Sequence, residues 1–85
     1  MQIQDKRVVV TGAASGIGKA LCEAFNKAGA KSVVCVDMNI EGATETANDI
    51  NGLAVQANVG KEADIINVID KANEYSGGID IFCSN

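Results

Sequence analysis

The 85 residues contain no proline and no histidine, and their seven Lys and Arg are outnumbered by eleven Asp and Glu. Without proline, no helix or strand is interrupted. Without histidine, and with only Cys22, Cys35 and Cys83 scattered along the chain, a zinc site has no ligand set, and no metal is expected. A formal net charge of -4 offers no field for a polyanion, which argues against nucleic acid as a partner. No apolar stretch has the length of a signal-peptide core or of a bilayer span, so a cytoplasmic protein without a membrane partner is expected. The cysteines lie inside apolar patterns rather than in a Cys-x-x-Cys pair, and are expected to be buried, reduced thiols.

What is present reads as one soluble globular unit, with 47% hydrophobic and 21% charged residues. Arg7 to Val10 is a short β-branched run that ends in Thr-Gly, as suits a strand buried on both faces of a parallel sheet. From Ile17, the residues Ile17, Ala20, Leu21, Ala24, Phe25 and Ala28 recur at helical spacing, and Gly29 stands where a stop belongs. Ser32 to Asp37 is a second strand that closes on an acid. Asn39 is the expected cap of a second helix with Ile40, Ala43, Ala47 and Ile50 on one face, ended by Asn51-Gly52. Leu53 to Ala57 gives a third strand. A third helix follows, with Ile65, Ile66, Val68, Ile69 and Ala72 as its core face, then Ser76-Gly77-Gly78 and a fourth strand over Ile79 to Cys83. The order βαβαβαβ calls for a parallel sheet with right-handed crossovers.

The turn between the first strand and first helix reads Thr11-Gly12-Ala13-Ala14-Ser15-Gly16-Ile17-Gly18. A diphosphate must approach backbone N–H groups closely, and a helix N-terminus supplies free donors and a positive dipole end. Gly12 permits a sharp turn, Gly16 leaves room where the loop passes the ligand, and Gly18 permits close packing of the helix against the sheet. Asp37 stands about 20 residues beyond the last of these glycines, where a carboxylate accepts the hydroxyls of an adenosine ribose. A 2'-phosphate beside it adds repulsion of about 4 kcal/mol per charge pair at ~4 Å and an effective dielectric near 20. Ala14, Ser15, Met38 and Asn39 supply no cation to offset it. NAD is therefore the expected cofactor.

With those residues placed, the chain resembles the short-chain dehydrogenase/reductase family in its single-domain, NAD-preferring branch, whose motif Thr-Gly-x-x-x-Gly-x-Gly is matched by Thr11 to Gly18. The resemblance implies a doubly wound parallel sheet of Rossmann type, with the strand order 3-2-1-4 supplied here as its N-terminal half. It implies that Ser15 and Ile17 contact the diphosphate, that Asp37 takes the ribose and that Met38 lies beside the adenine. The family's Asp-Val pair after the third strand reads Asn58-Val59 here, and a carboxamide oxygen can still accept the adenine amino group. The family's Asn-Asn-Ala-Gly, which lines the cofactor near the nicotinamide ribose, is met only as far as Ser84-Asn85.

We therefore expect residues 1–85 to be a partial NAD-binding domain, the N-terminal piece of a longer polypeptide that ends before the catalytic half. The family's catalytic Ser and Tyr-x-x-x-Lys have no counterpart; Lys71 and Tyr75 have the spacing in reverse order and read as a surface pair, so no catalytic residue is named. The intact protein is expected to be an oxidoreductase moving hydride between an alcohol and a carbonyl of a small-molecule substrate, with a homo-oligomer as its expected assembly. Two other readings stand beside it: a non-catalytic NAD-binding module or redox sensor, and a nucleotide-binding α/β domain of another class, such as a methyltransferase.

Overall fold

A computed structural model describes residues 2–85. Four strands, β1 (Arg7–Thr11), β2 (Ser32–Asp37), β3 (Leu53–Gln56) and β4 (Ile81–Cys83), alternate with three helices, α1 (Gly16–Lys27), α2 (Ile40–Ile50) and α3 (Glu62–Ser76). All pairings are parallel, and the strand order is β3-β2-β1-β4. The expected architecture is thus present, and strand order reverses between β1 and β4.

Period-two alternation divides the valines between the two sheet faces. Val8, Val10, Val33 and Cys35 pack with Cys22 of α1 and Ala47 of α2 on one face. Val9, Val34, Val36 and Val55 pack with Val68 and Ala72 of α3 on the other. Each fully buried valine contributes about 1.5 kcal/mol or more relative to an exposed one. Central strands buried on both faces explain why the β1 and β2 sequences show no polar alternation.

Helix ends follow local chemistry. Ser15 and Asn39 cap α1 and α2 by accepting the N–H of Gly18 and Gly42 at 3.0 and 3.1 Å. Gly29, at φ +90°, reverses the chain after α1, and Ala30 N–H closes back on Phe25 O at 3.1 Å.

Two helix faces depart from the expected ones. On α1 the residues turned to the sheet are Gly18 and Cys22, flanked by half-buried Leu21 and Phe25, while Ala20, Ala24 and Ala28 are exposed and Ile17 is 70% exposed. The contact of Gly18 with the preceding loop fixes the helix rotation, and small apolar residues on two adjacent stripes gave periodicity no means of choosing between them. On α3, Val68 and Ala72 are buried and Ile65 is half-buried, but Ile66 is 52% exposed and Ile69 38%. A single helix on that sheet face buries one stripe only.

Strand bounds shift by one or two residues. β1 runs on to Thr11, β3 stops at Gln56, and β4 starts at Ile81, because Asp80 is occupied with Arg7. The Asp80 carboxylate accepts the Arg7 backbone N–H at 2.8 Å and its guanidinium at 2.9 and 3.0 Å, while Asp80 N–H donates to Arg7 O at 2.8 Å. The guanidinium and its hydrogen bonds hold the Asp80 carboxyl well below the usual carboxylate range. This pair fastens the edge strand β4 to β1 at the sheet end opposite the glycine loop. Among the described residues, no helix is long and apolar enough to cross a membrane.

Candidate functional site

At the C-terminal end of β1 the chain turns through Gly12, whose φ of +66° disfavours any residue with a Cβ. Ala13 N–H donates to Val36 O at 2.9 Å, which keeps the loop against β2. The helix then begins very close to the loop: a Cβ on Gly18 would lie 1.8 Å from Gly12 O. Its tight partner is therefore loop backbone rather than the sheet. Gly16 differs, since nothing lies within 4 Å of the Cβ it lacks. Among the described residues, the Gly16 and Ile17 amides have no hydrogen-bond partner. They are the free donors expected in the first helical turn, and they open outward.

β4 is stitched to this loop. Asn85 N–H donates to the buried Thr11 Oγ1 at 3.0 Å, and Asn85 Nδ2 donates to Gly12 O at 3.3 Å and Ser15 Oγ at 3.2 Å. Ser15 Oγ itself donates to Gly12 O at 2.7 Å. Thr11, named only as the first letter of the motif, is thus the anchor between the β1 and β4 ends.

Asp37, at the end of β2, accepts Ala14 N–H on Oδ2 at 2.9 Å and Asn39 N–H on Oδ1 at 3.0 Å. A carboxylate has about four acceptor positions, so each oxygen keeps one. Beside it lie two adjoining hollows. One, of about 180 Å³, is lined by Gly12, Asp37, Met38, Ala57, Val59 and Asn85. The other, of about 310 Å³, is lined by Met38, Gln56, Ala57, Asn58 and Asp64. Met38 belongs to both, and both open beyond the carboxyl ends of β1, β2 and β3, as the topological rule for open α/β sheets requires.

Asn58 is more constrained than its sequence position indicates. Its Oδ1 accepts Gly60 N–H at 2.9 Å, and its own N–H donates to Asp64 Oδ2 at 2.8 Å. One lone pair of the carboxamide oxygen remains for an external donor. The structure therefore gathers Gly12, Ser15, Gly16, Ile17, Gly18, Asp37, Met38, Asn58, Val59 and Asn85 at one end of the sheet.

An adenosine diphosphate suits these groups chemically: free amides and a helix N-terminus for the phosphates, spare carboxylate acceptors for a diol, and an apolar strip of Met38, Ala57 and Val59 for a flat base. The open space at Gly16 is where an added Cβ would intrude on such a ligand.

A buttress behind the loop was not anticipated. Buried Thr46 of α2 donates from Oγ1 to Ala13 O at 3.0 Å, and a Cβ on Gly42 would come within 2.5 Å of the Ala14 Cβ. Gly42 and Thr46 are four apart and share a helix face, a spacing visible in sequence. Their partner about 30 residues earlier was not.

Outside the site, Tyr75 donates to Asn51 O at 3.4 Å rather than engaging Lys71. All three cysteines are free, but Cys83 is only half-buried, because β4 is an edge strand.

Residues 6–85 match the family model described as short chain dehydrogenase. A short chain dehydrogenase of Claviceps purpurea is 37% identical over 89 residues, which cover 99% of this chain and 34% of that protein. Glucose 1-dehydrogenase 2 of Bacillus subtilis is 39% identical over 85 residues, covering 94% of this chain and 33% of that protein. Among solved structures, 3-ketoacyl-(acyl-carrier-protein) reductase from Brucella melitensis, complexed with NADH, superposes with a TM-score of 0.89 at 39% identity, covering 94% of this chain and 33% of that one. The chain thus spans about a third of the length of the relatives it matches. With the family model matched over residues 6–85, the chain belongs to the short-chain dehydrogenase family.

Proposed function

We propose that residues 1–85 are the cofactor part of an NAD-dependent oxidoreductase that moves hydride between an alcohol and a carbonyl of a small molecule. The carrying observation is the position of the Asp37 carboxylate, hydrogen-bonded to the glycine loop through Ala14 N–H and lining the hollow shared with Gly12 and Met38. Bound there, the dinucleotide supplies the hydride acceptor or donor. The chain's own residues bind and orient it.

In this reading the Gly16 and Ile17 amides take the diphosphate at the α1 N-terminus, with Gly12 and Gly18 setting the loop that presents them. Asp37 takes the ribose hydroxyls, Met38 and Val59 flank the adenine, and Asn58 accepts the adenine amino group on its spare lone pair. Asn85, fixed by Thr11 and Gly12, faces the nicotinamide end.

Preference for NAD over NADP follows from charge. Lys and Arg are absent from positions 13–18 and 38–40, so a 2'-phosphate beside Asp37 has no counter-ion from those segments. Repulsion of even 2 kcal/mol, about half the unscreened value, corresponds to a factor of roughly 30 in affinity. The NADH named for the Brucella melitensis reductase supports a nicotinamide dinucleotide of this type. Calorimetric titration with NAD and with NADP tests the assignment. NAD is expected to bind at least ten times more tightly; equal or tighter NADP binding refutes the use made of Asp37.

A further inference from the structure

Cys22 of α1 and Cys35 of β2 lie thirteen positions apart in sequence, yet their sulfurs approach to 3.7 Å. Both are free thiols and neither is exposed. They sit in the core cluster that joins α1 to the sheet, beside Val10 and Ala47. Nothing in the cofactor reading uses them.

Their geometry is that of a reduced pair. A disulfide bond measures about 2.05 Å, so each sulfur has to move by less than about 1 Å, within the reach of small side-chain rotations. The third cysteine, Cys83, packs at the edge of the same cluster but is placed apart from Cys35. Val10 of β1 is in register with Cys35 on one side and with Cys83 on the other. Two strand spacings therefore separate Cys35 from Cys83, roughly 9.5 Å, beyond the ~7 Å Cα separation that a disulfide spans.

We propose that Cys22 and Cys35 are a redox modification site, at which hydrogen peroxide forms a reversible intramolecular disulfide that ties α1 to β2. The site is independent of the dinucleotide reading. The Cys35 S–H donates to Cys22 Sγ, and this bond favours the thiolate at Cys22 and opposes it at Cys35, while burial disfavours the charged form of both. Cys22 is thus the attacking sulfur. Its thiolate attacks one peroxide oxygen; the O–O bond breaks, an S–O bond forms, and hydroxide leaves and takes up a proton to become water. The Cys35 sulfur then attacks Cys22 Sγ; the S–S bond forms, the S–O bond breaks, and the departing hydroxide leaves as water with the Cys35 proton. Two thiols lose two electrons and one peroxide gains them. Both sulfurs are closed to solvent, so peroxide enters when α1 opens locally from the sheet.

The link joins two elements that position the candidate site. Cys22 is one turn beyond Gly18, and Cys35 is two residues before Asp37. Oxidation therefore fixes the helix that carries the glycine loop to the strand that carries the acid.

The test is mass spectrometry of the reduced chain after peroxide treatment, with remaining thiols alkylated under denaturing conditions before trypsin digestion. The expected result is a loss of two hydrogens, tryptic peptides 20–27 and 32–61 joined through Cys22 and Cys35, Cys83 alkylated, and full reversal by dithiothreitol. Cys83→Ser is expected to give the same linked peptide, and Cys22→Ser none. The linked peptide in the unaltered chain decides the matter even where Cys22→Ser fails to fold. Full alkylation of Cys22 and Cys35 after peroxide, oxygen addition at either sulfur without a link, or a link through Cys83 would overturn the proposal.

Discussion

The Asp37 carboxylate accepts the backbone N–H of Ala14 at 2.9 Å, so a hydrogen bond joins the acid at the end of β2 directly to the glycine loop after β1. The group assigned to the ribose is thus also part of the loop's scaffold. Asp37→Asn keeps a side chain of the same shape but replaces one acceptor oxygen by an NH2 that faces an N–H donor. Its expected effects are a loss of about 1 kcal/mol in stability and NAD binding weakened about tenfold or more. With the charge gone, the ratio of NAD to NADP affinity should fall as well. Parallel titrations and a thermal melt read both, and an unchanged ratio would contradict the electrostatic argument.

Two glycines two positions apart are expected to behave oppositely. Gly18→Ala places a Cβ 1.8 Å from Gly12 O, contact with backbone that cannot swing aside. Overpacking of this kind costs about 1–3 kcal/mol or more, roughly 4–8 °C in melting temperature per kcal/mol for a chain of this size. Gly16→Ala meets nothing within 4 Å, so the melt should hardly move while dinucleotide affinity falls. Equal destabilisation by the two substitutions would show that the loop is not packed as described.

Acid should loosen β4 first. Asp80 has its carboxyl held below the ordinary range by Arg7, so its contribution to stability is complete above the unfolded carboxylate value of about 3.9 and is lost as pH falls through the lower folded value. Denaturation midpoints followed downward from pH 5 should therefore decline, and Asp80→Asn should flatten that decline while lowering stability at neutral pH. A variant whose pH profile parallels that of the unaltered chain would show that the pair does not couple to folding.

On α3, burial predicts an order. Val68 is fully buried against Val9 and Val34, whereas Ile66 is 52% exposed. Val68→Ala should cost about 1–3 kcal/mol and Ile66→Ala at most about 0.5 kcal/mol in urea denaturation of this chain, although isoleucine loses more atoms. The reverse order would place the other stripe of α3 on the sheet.

These cases also mark where sequence was informative. Strands β1 and β2 were legible because β-branched runs bounded by Thr-Gly and Asp fit few other structures, and the Asn39 cap of α2 was legible because capping is local, although the equally local Ser15 cap of α1 was read only as a loop position. The glycine loop and Asp37 could be placed together because the order βαβ forces the ends of β1 and β2 side by side. Helix rotation was not legible, since Ile17, Ala20 and Ala24 look as apolar as Leu21 and Phe25. Nor were the Thr46 bond to Ala13 O, the closeness of Cys22 to Cys35, or the Asx turn that ties up Asn58. The first two depend on contacts between distant segments, and the third on how a short side chain rotates.

On the proposed function, one end of the sheet holds the adenosine diphosphate part of NAD. Amide chemical-shift mapping during titration with NAD tests it most directly, because each residue reports separately. The largest shifts are expected at Gly12, Ser15, Gly16, Ile17, Gly18, Asp37, Met38, Asn58, Val59 and Asn85, with Arg7 and Asp80 at the far end of β1 and β4 unmoved. Saturable binding whose largest shifts fall at that far end, or no shifts at the glycine loop, would contradict it.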